Sequence, residues 1–367
     1  MRRIIAIFLL IGISISACDT SPHLVNCDFD ERVMLTHYAD QIIVPRFADL
    51  SISLILMESS IQQFGNSPSM GLLNEARIYF GAAYKQYQMC SPFAFGPGLI
   101  DGVAFRERFN TFPTNVSGIE TNIQNGSPTS SALKSEVGFP AIDYLLFGEP
   151  GTSDNDILAL FTTDGNAANR IAYLEAVATE LKSTAVQIEG GWTSYRSQFI
   201  DNTGTADGTS IGMMVNEFNY DFETLKNFKF KIPLGKYNGG VVLPSQVEAY
   251  YAGGSVELAT TQAETFKALF EGTGYNDSDG PGLYEYLICL ETQGTSGQLL
   301  ADEILEQFDV IIEAIEAVPD PMSETLVSNK PVVDNAYLQM QMMVPKIKHE
   351  LTSALGVQIN YQDNDGD

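Results

Sequence analysis

The strongest constraint on how this chain can fold is the recurrence of apolar residues at three- and four-residue spacing over long stretches, with alternation that never lasts more than a few residues. Spacing near 3.6 buries one face of a helix, whereas a half-buried strand would alternate. From Glu31 to Phe64 the apolar positions Val33, Ile42, Ile43, Phe47, Leu50, Leu54 and Ile61 follow the helical spacing, and Pro45 inside the run should kink or restart it. Gly65-Asn66-Ser67-Pro68 reads as a stop. Leu72 to Met89 reads as a second helix, with Tyr79, Phe80, Ala83, Tyr84 and Tyr87 on its apolar face. A helix is expected to begin near Ser130-Ser131, whose hydroxyls suit an N-cap, and to end at Gly148-Glu149-Pro150. Residues 166–200 form the longest helical stretch, with Gly190-Gly191 its weak point, and further helices are expected over 211–230, 244–271, 297–317 and 331–355. The fold class is therefore all-α, built of long antiparallel helices.

The N-terminus carries an address. Arg2 and Arg3 precede an apolar run from Ile4 to Ile15, and Ser16-Ala17-Cys18 follows. A basic start, a short apolar core and small residues at a cleavage site make a secretory signal, too short for the roughly 20 apolar residues that span a bilayer. The tetrad Ile15-Ser16-Ala17-Cys18 resembles the lipobox of bacterial lipoproteins, in which the cysteine becomes the lipid-carrying first residue. The expectation is a protein held at the membrane through Cys18, in the cell envelope, on the periplasmic face or at the cell surface.

Loss of residues 1–18 removes two basic residues and no acid, which takes the net charge from −26 to −28. Such a surface repels nucleic-acid phosphates, so nucleic acid is excluded as a partner, while cations and basic partners are attracted. Beyond Cys18 stand Cys27, Cys90 and Cys289, too widely spaced for a zinc motif. An envelope compartment permits one disulfide, and the pairing stays open. The length favours two domains. The organisation read from the sequence is a signal over 1–18, a polar tether over 19–30, an N-terminal bundle over 31–200, a Gly/Thr/Asp-rich linker over 201–210, a C-terminal bundle over 211–360 and an acidic tail over 361–367.

Two faint internal echoes suggest duplication. Gly138-Phe-Pro-Ala-Ile-Asp143-Tyr144-Leu145-Leu146 can be laid on Gly280-Pro-Gly-Leu-Tyr-Glu285-Tyr286-Leu287-Ile288, and Phe47-Ala48 with Ser51 and Leu54 on Tyr251-Ala252 with Ser255 and Leu258.

Several segments, in order, resemble the imelysin-like family of insulin-cleaving membrane proteases and iron-regulated envelope proteins. They are Ile43-Val-Pro-Arg-Phe47, Phe93-Ala-Phe-Gly-Pro97, Asn110-Thr-Phe-Pro-Thr114, Val137 to Gly148, Lys231-Ile-Pro-Leu-Gly-Lys236 and Glu248-Ala-Tyr-Tyr-Ala-Gly253. The resemblance covers nearly all of the mature chain. It implies two helical-bundle domains related by internal duplication, a site near their junction and a link to iron acquisition. The implied ligand is iron, another cation or an iron chelate, and the implied partners are envelope uptake proteins.

The family signature is Gly-x-His-x-x-Glu, a metal-binding motif. Here Pro140 stands at the histidine position and Asp143 at the glutamate position. Proline offers a metal no lone pair, and a catalytic zinc takes three protein ligands. The resemblance therefore implies the fold more than the activity: a binding or accessory module, and not a competent metallopeptidase. Two other readings are a peptidase with a rebuilt, metal-dependent site and a structural interaction scaffold. The expected site centres on Asp143, with Glu136, Arg106 and Glu257 beside it. Tyr144 and Glu285 join it if Asp143-Tyr144 and Glu285-Tyr286 meet across the halves, since carboxylate and phenolate oxygens suit hard cations.

The remaining motifs are weaker. His23, His37 and His349 are scattered, and no second histidine follows His349-Glu350 at the spacing a zincin needs. Gly208-Thr-Ser210-Ile-Gly212 matches a nucleophile elbow by letter, but a loop and not a strand precedes it. Asn276–Gly280 and Asp363–Asp367 are acidic turns without the twelfth-position glutamate of a calcium loop.

Overall fold

A computed structural model describes residues 27–361. The signal, Cys18, most of the tether and the tail beyond Tyr361 lie outside the described residues. The helical reading holds for the long elements. α1 (Glu31–His37) passes through a π-helical turn (Tyr38–Ile43) into α2 (Val44–Asn66), so Pro45 restarts the helix from its first turn, where no backbone N–H is needed. α3 (Met70–Gln88) returns antiparallel to α2, its N-terminus capped by Ser69. A short hairpin of β1 (Leu99–Ile100) and β2 (Val103–Ala104) leads to α4 (Arg106–Phe109) and α5 (Val116–Asn125).

The helix expected from Ser130 begins later. Residues 129–131 and 134–136 are separate 3-10 turns, and α6 spans Gly138–Phe147. Gly138 adopts φ +76°, and a Cβ there would lie 2.4 Å from the Arg108 carbonyl oxygen, so only glycine lets the chain turn into α6 at that point. After α7 (Asp154–Leu160), α8 runs unbroken from Ala167 to Asp201 through Gly190-Gly191. Packing against the length of α2 and the burial of Trp192 and Ile188 override the low helix propensity of that pair.

The second half opens with α9 (Ser210–Thr224), capped by Thr209, which continues as a π-helix (Leu225–Lys231). The helix expected from residue 244 starts only at α10 (Ser255–Glu271). Residues 247–254 are irregular, with Ala249 in the left-handed region. Then come α11 (Leu283–Cys289), α12 (Leu300–Glu316), α13 (Met322–Ser328), α14 (Lys330–Pro345), a π-helical turn (Lys346–Leu351) and α15 (Thr352–Leu355).

α2, α3 and α8 form the centre of the first half, and α10, α12 and α14 lie side by side in the second. α3 packs on α10, which joins the halves. Both are bundles of amphipathic helices, with a core rich in Phe and Leu. Among the described residues no helix is long and apolar enough to cross a membrane.

The end of the expected tether belongs to the body. Cys27 is disulfide-bonded to Cys289 at the close of α11, Phe29 stacks on Tyr286 at 4.5 Å, and Asp30 caps α1. Cys90 is a buried free thiol.

The echoed segments sit differently. Asp143 lies well inside α6, whereas Glu285 is the third residue of α11 and accepts the Gly282 N–H at its own helix start, 2.7 Å away. Phe47-Ala48 are in α2, and Tyr251-Ala252 precede α10 in irregular chain. These pairs therefore do not establish a duplication.

Candidate functional site

Where α3, α4, α6, α9 and the segment before α10 converge, the core is polar. Glu248 is fully buried and accepts hydrogen bonds from Gln88 Nε2 (3.0 Å) and Asn110 Nδ2 (2.6 Å). Its other oxygen pairs with Lys229 Nζ at 2.7 Å, and Lys229 also donates to Gln88 Oε1 at 2.8 Å. The Tyr84 hydroxyl donates to Asn110 Oδ1 at 2.6 Å. Burying an ion pair costs desolvation on both sides and is tolerated only where further hydrogen bonds complete it, as Gln88 and Asn110 do here. Lys229 reaches this position from the π-helix after α9; such widened turns recur at functional sites.

A second polar cluster adjoins the first. Asp221 is buried and accepts from Ser91 Oγ (2.6 Å) and Gln262 Nε2 (2.9 Å). Burial raises its pKa, with Arg106, Ser91 and Gln262 opposing. Arg106 pairs with Glu217, donates to the Ser91 carbonyl at 3.4 Å and lies over the Tyr220 ring at 4.5 Å. Between the two clusters a cleft of about 190 Å³ opens to the surface, with walls from both halves of the chain. Arg106, Asn110, Asp221, Lys229 and Gln262 contribute its polar lining, and Phe112, Tyr220 and Phe228 its apolar one.

Asp143 lies behind this network. Its carboxylate accepts the backbone N–H groups of Tyr251 (3.0 Å) and Ala252 (2.8 Å), which pins the irregular segment of the second half onto α6 of the first. Burial pushes its pKa up to about 7; the two N–H donors oppose this, and the charge of nearby Glu248 adds to it. The Pro140 carbonyl accepts from the Thr114 hydroxyl at 3.0 Å.

The other expected site residues are dispersed. Glu136 is buried and holds its own loop together, accepting from Asn115, Asn122 and the Leu133 N–H. Glu257 is exposed and pairs with Lys85 at 3.0 Å. The Tyr144 hydroxyl donates to Glu120 at 2.7 Å. Glu285 and Tyr286 do not meet Asp143: Glu285 caps α11, and the Tyr286 hydroxyl donates to Glu31 at 2.7 Å. Of the expected set, Arg106 lines the cleft, Asp143 stands behind it and Cys18 lies outside the described residues. Glu248, Lys229, Asp221, Gln88 and Gln262 were not anticipated. Glu248 and Asn110 begin two of the segments that carry the family resemblance, which was the available signal.

A metal does not fit the signature position. Pro140 has no ligating side chain, which leaves Asp143, bonded to two backbone N–H groups, as the one ligating side chain at the two signature positions. Among the described residues no group of three His, Cys, Asp or Glu could hold an ion. His37 is bonded to the Gly272 carbonyl at 2.6 Å, remote from Asp143 in the fold. Ser210 of the Gly-x-Ser-x-Gly match is buried, its hydroxyl donated to the Phe199 carbonyl, so it is no nucleophile.

Fold and site together define an all-α imelysin-type protein, and the chain belongs to the imelysin family, which it matches over residues 43–341. It is 30% identical to iron-regulated protein A of Synechococcus elongatus over 151 residues, 41% of this chain and 40% of that protein. The alignment thus spans well under half of that relative. Its fold is shared with a crystal structure described as an iron-regulated protein A precursor from Parabacteroides distasonis (TM-score 0.72, 17% identity, 89% of this chain and 95% of that one). An imelysin-like protein from Psychrobacter arcticum is similar too (TM-score 0.69, 16% identity, 91% and 99%).

Proposed function

We propose that this chain is a lipid-anchored cell-envelope protein that acts by binding, as an accessory module of iron or other metal acquisition, and that it is not a peptidase. The observation that carries this reading is the use made of the signature positions. Pro140 cannot ligate, and Asp143 holds the Tyr251 and Ala252 N–H groups, so the motif fastens the two halves together. A cleft between the halves is open to a ligand and is lined by fixed polar groups and aromatic rings, the usual make-up of a small-molecule site. The iron connection is supported by the relatives' names and the envelope location by the first eighteen residues.

A deletion strain tests this directly. Under chelator-imposed iron limitation it should grow more slowly than its parent, with growth restored by the full chain and not by Cys18→Ser. Unimpaired growth of the deletion strain would overturn the acquisition role, and full rescue by Cys18→Ser would overturn the anchor.

A further inference from the structure

We infer that the cleft takes an uncharged polyhydroxylated ring, a neutral monosaccharide, in place of a metal ion, an anion or a peptide. This rests on reading the cleft as the ligand site. Charge is the first argument. Lys229 is matched by Glu248, Arg106 by Glu217, and Glu107 at the cleft edge by Lys134 at 2.7 Å. Asp221 accepts from Ser91 and Gln262 and has the Arg106 and Lys229 cations beside it, so its charge is countered too. An incoming anion or cation would meet no free counter-charge and would lose its hydration without return.

The unused hydrogen-bonding capacity is mixed. Arg106 spends one N–H on Glu217 and one on the Ser91 carbonyl, and the guanidinium carries further donors. The Thr111 and Thr224 hydroxyls donate to backbone carbonyls of Glu107 and Tyr220, which leaves their oxygens as acceptors at the wall. A sugar hydroxyl both donates and accepts, so a ring of them satisfies such a mixed set where a single-sign ligand cannot. Phe112 and Phe228 supply apolar faces for the C–H side of such a ring.

Size is the third argument. At about 190 Å³ the cleft lies below the roughly 300–1,000 Å³ of sites for drug-sized ligands. That is the scale of a single small ring, and a peptide segment or a bulky iron chelate would be held only in part.

The test is calorimetric titration of the mature protein with two panels. One holds glucose, galactose, mannose and N-acetylglucosamine. The other holds glucuronate, glucosamine, citrate and inorganic phosphate. Phe228→Ala, on a side chain 38% exposed and outside the core, is titrated in parallel, with a thermal melt to show that it folds. The expected result is one-to-one binding of a neutral sugar, weakened about tenfold or more by Phe228→Ala, with each charged compound weaker still. Tighter binding of a charged compound, lost in Phe228→Ala, would overturn the neutral class and leave the cleft as the ligand site. No binding from either panel, or binding that Phe228→Ala does not change, would overturn the cleft as the site as well.

Discussion

At the residue scale, Asp143 and the Lys229–Glu248 pair make the clearest commitments. Asp143 is ordinary in the unfolded chain and raised to about 7 in the fold, so between about pH 4 and 7 the native state holds a proton that the unfolded state does not. Its contribution to stability is therefore full at low pH and declines as pH rises toward 7. Asp143→Asn cannot titrate. The stability of the natural chain relative to this variant should fall across that window and level off above it, read from urea midpoints at a series of pH values. A constant difference would mean that Asp143 is not the titrating group. Lys229→Met leaves Glu248 buried and without its cation, which should cost about 3–5 kcal/mol. The double change Lys229→Met with Glu248→Gln should recover part of that loss. If it recovered nothing, the pair would be no closed unit. Pro140 and Asp143 were legible as a departure from the motif. That Asp143 would instead grip the backbone just before α10 was not, because its partners lie 108 and 109 residues on.

At the scale of elements, long amphipathic helices showed in the spacing and short ones did not. α2, α3, α8 and α12 each repeat their apolar face over four turns or more, whereas α7, α11 and α13 have seven residues each, too few for a period to register. The false start of α10 has a physical cause. Tyr251 and Ala252 give their N–H groups to Asp143, and Asp320 takes those of Val256 (3.0 Å) and Glu257 (3.3 Å) to cap α10 from a distant segment. Neither carboxylate is near in sequence. The Gly190-Gly191 pair gives a sharp contrast. A Cβ at Gly190 meets nothing within 4 Å, while one at Gly191 comes within 2.9 Å of the Pro97 ring. Gly190→Ala should stabilise the protein by about 0.5–1 kcal/mol through helix propensity, and Gly191→Ala should fall short of that, by thermal melts side by side. Equal gains would show that α8 does not press on residue 97.

For the molecule as a whole, the all-α class followed from the sequence because one period dominates it, and the family resemblance followed from six ordered segments. The pairing of Cys27 with Cys289 did not, since three cysteines admit three pairs and only the meeting of residues 27–30 with α11 selects one. That bridge closes a loop of most of the chain, so replacing both cysteines by serine should lower stability by about 2–5 kcal/mol in calorimetry. No loss would mean that Phe29 and Glu31 hold the segment unaided. The cleft was hidden for a similar reason: its walls come from residues 87–112 and 220–262, which the packing of α3 on α10 and of residues 91–93 on α9 brings face to face.

On this reading the altered signature is a structural fastening and not a metal centre. The measurement is elemental analysis of the purified mature protein, after exposure to iron and zinc and then exhaustive dialysis, beside Asp143→Ala. No stoichiometric metal is expected in the natural protein and no change in the variant, which should be less stable by about 1–3 kcal/mol for each backbone N–H left unpaired. Near-stoichiometric metal that vanishes with Asp143→Ala would contradict this reading.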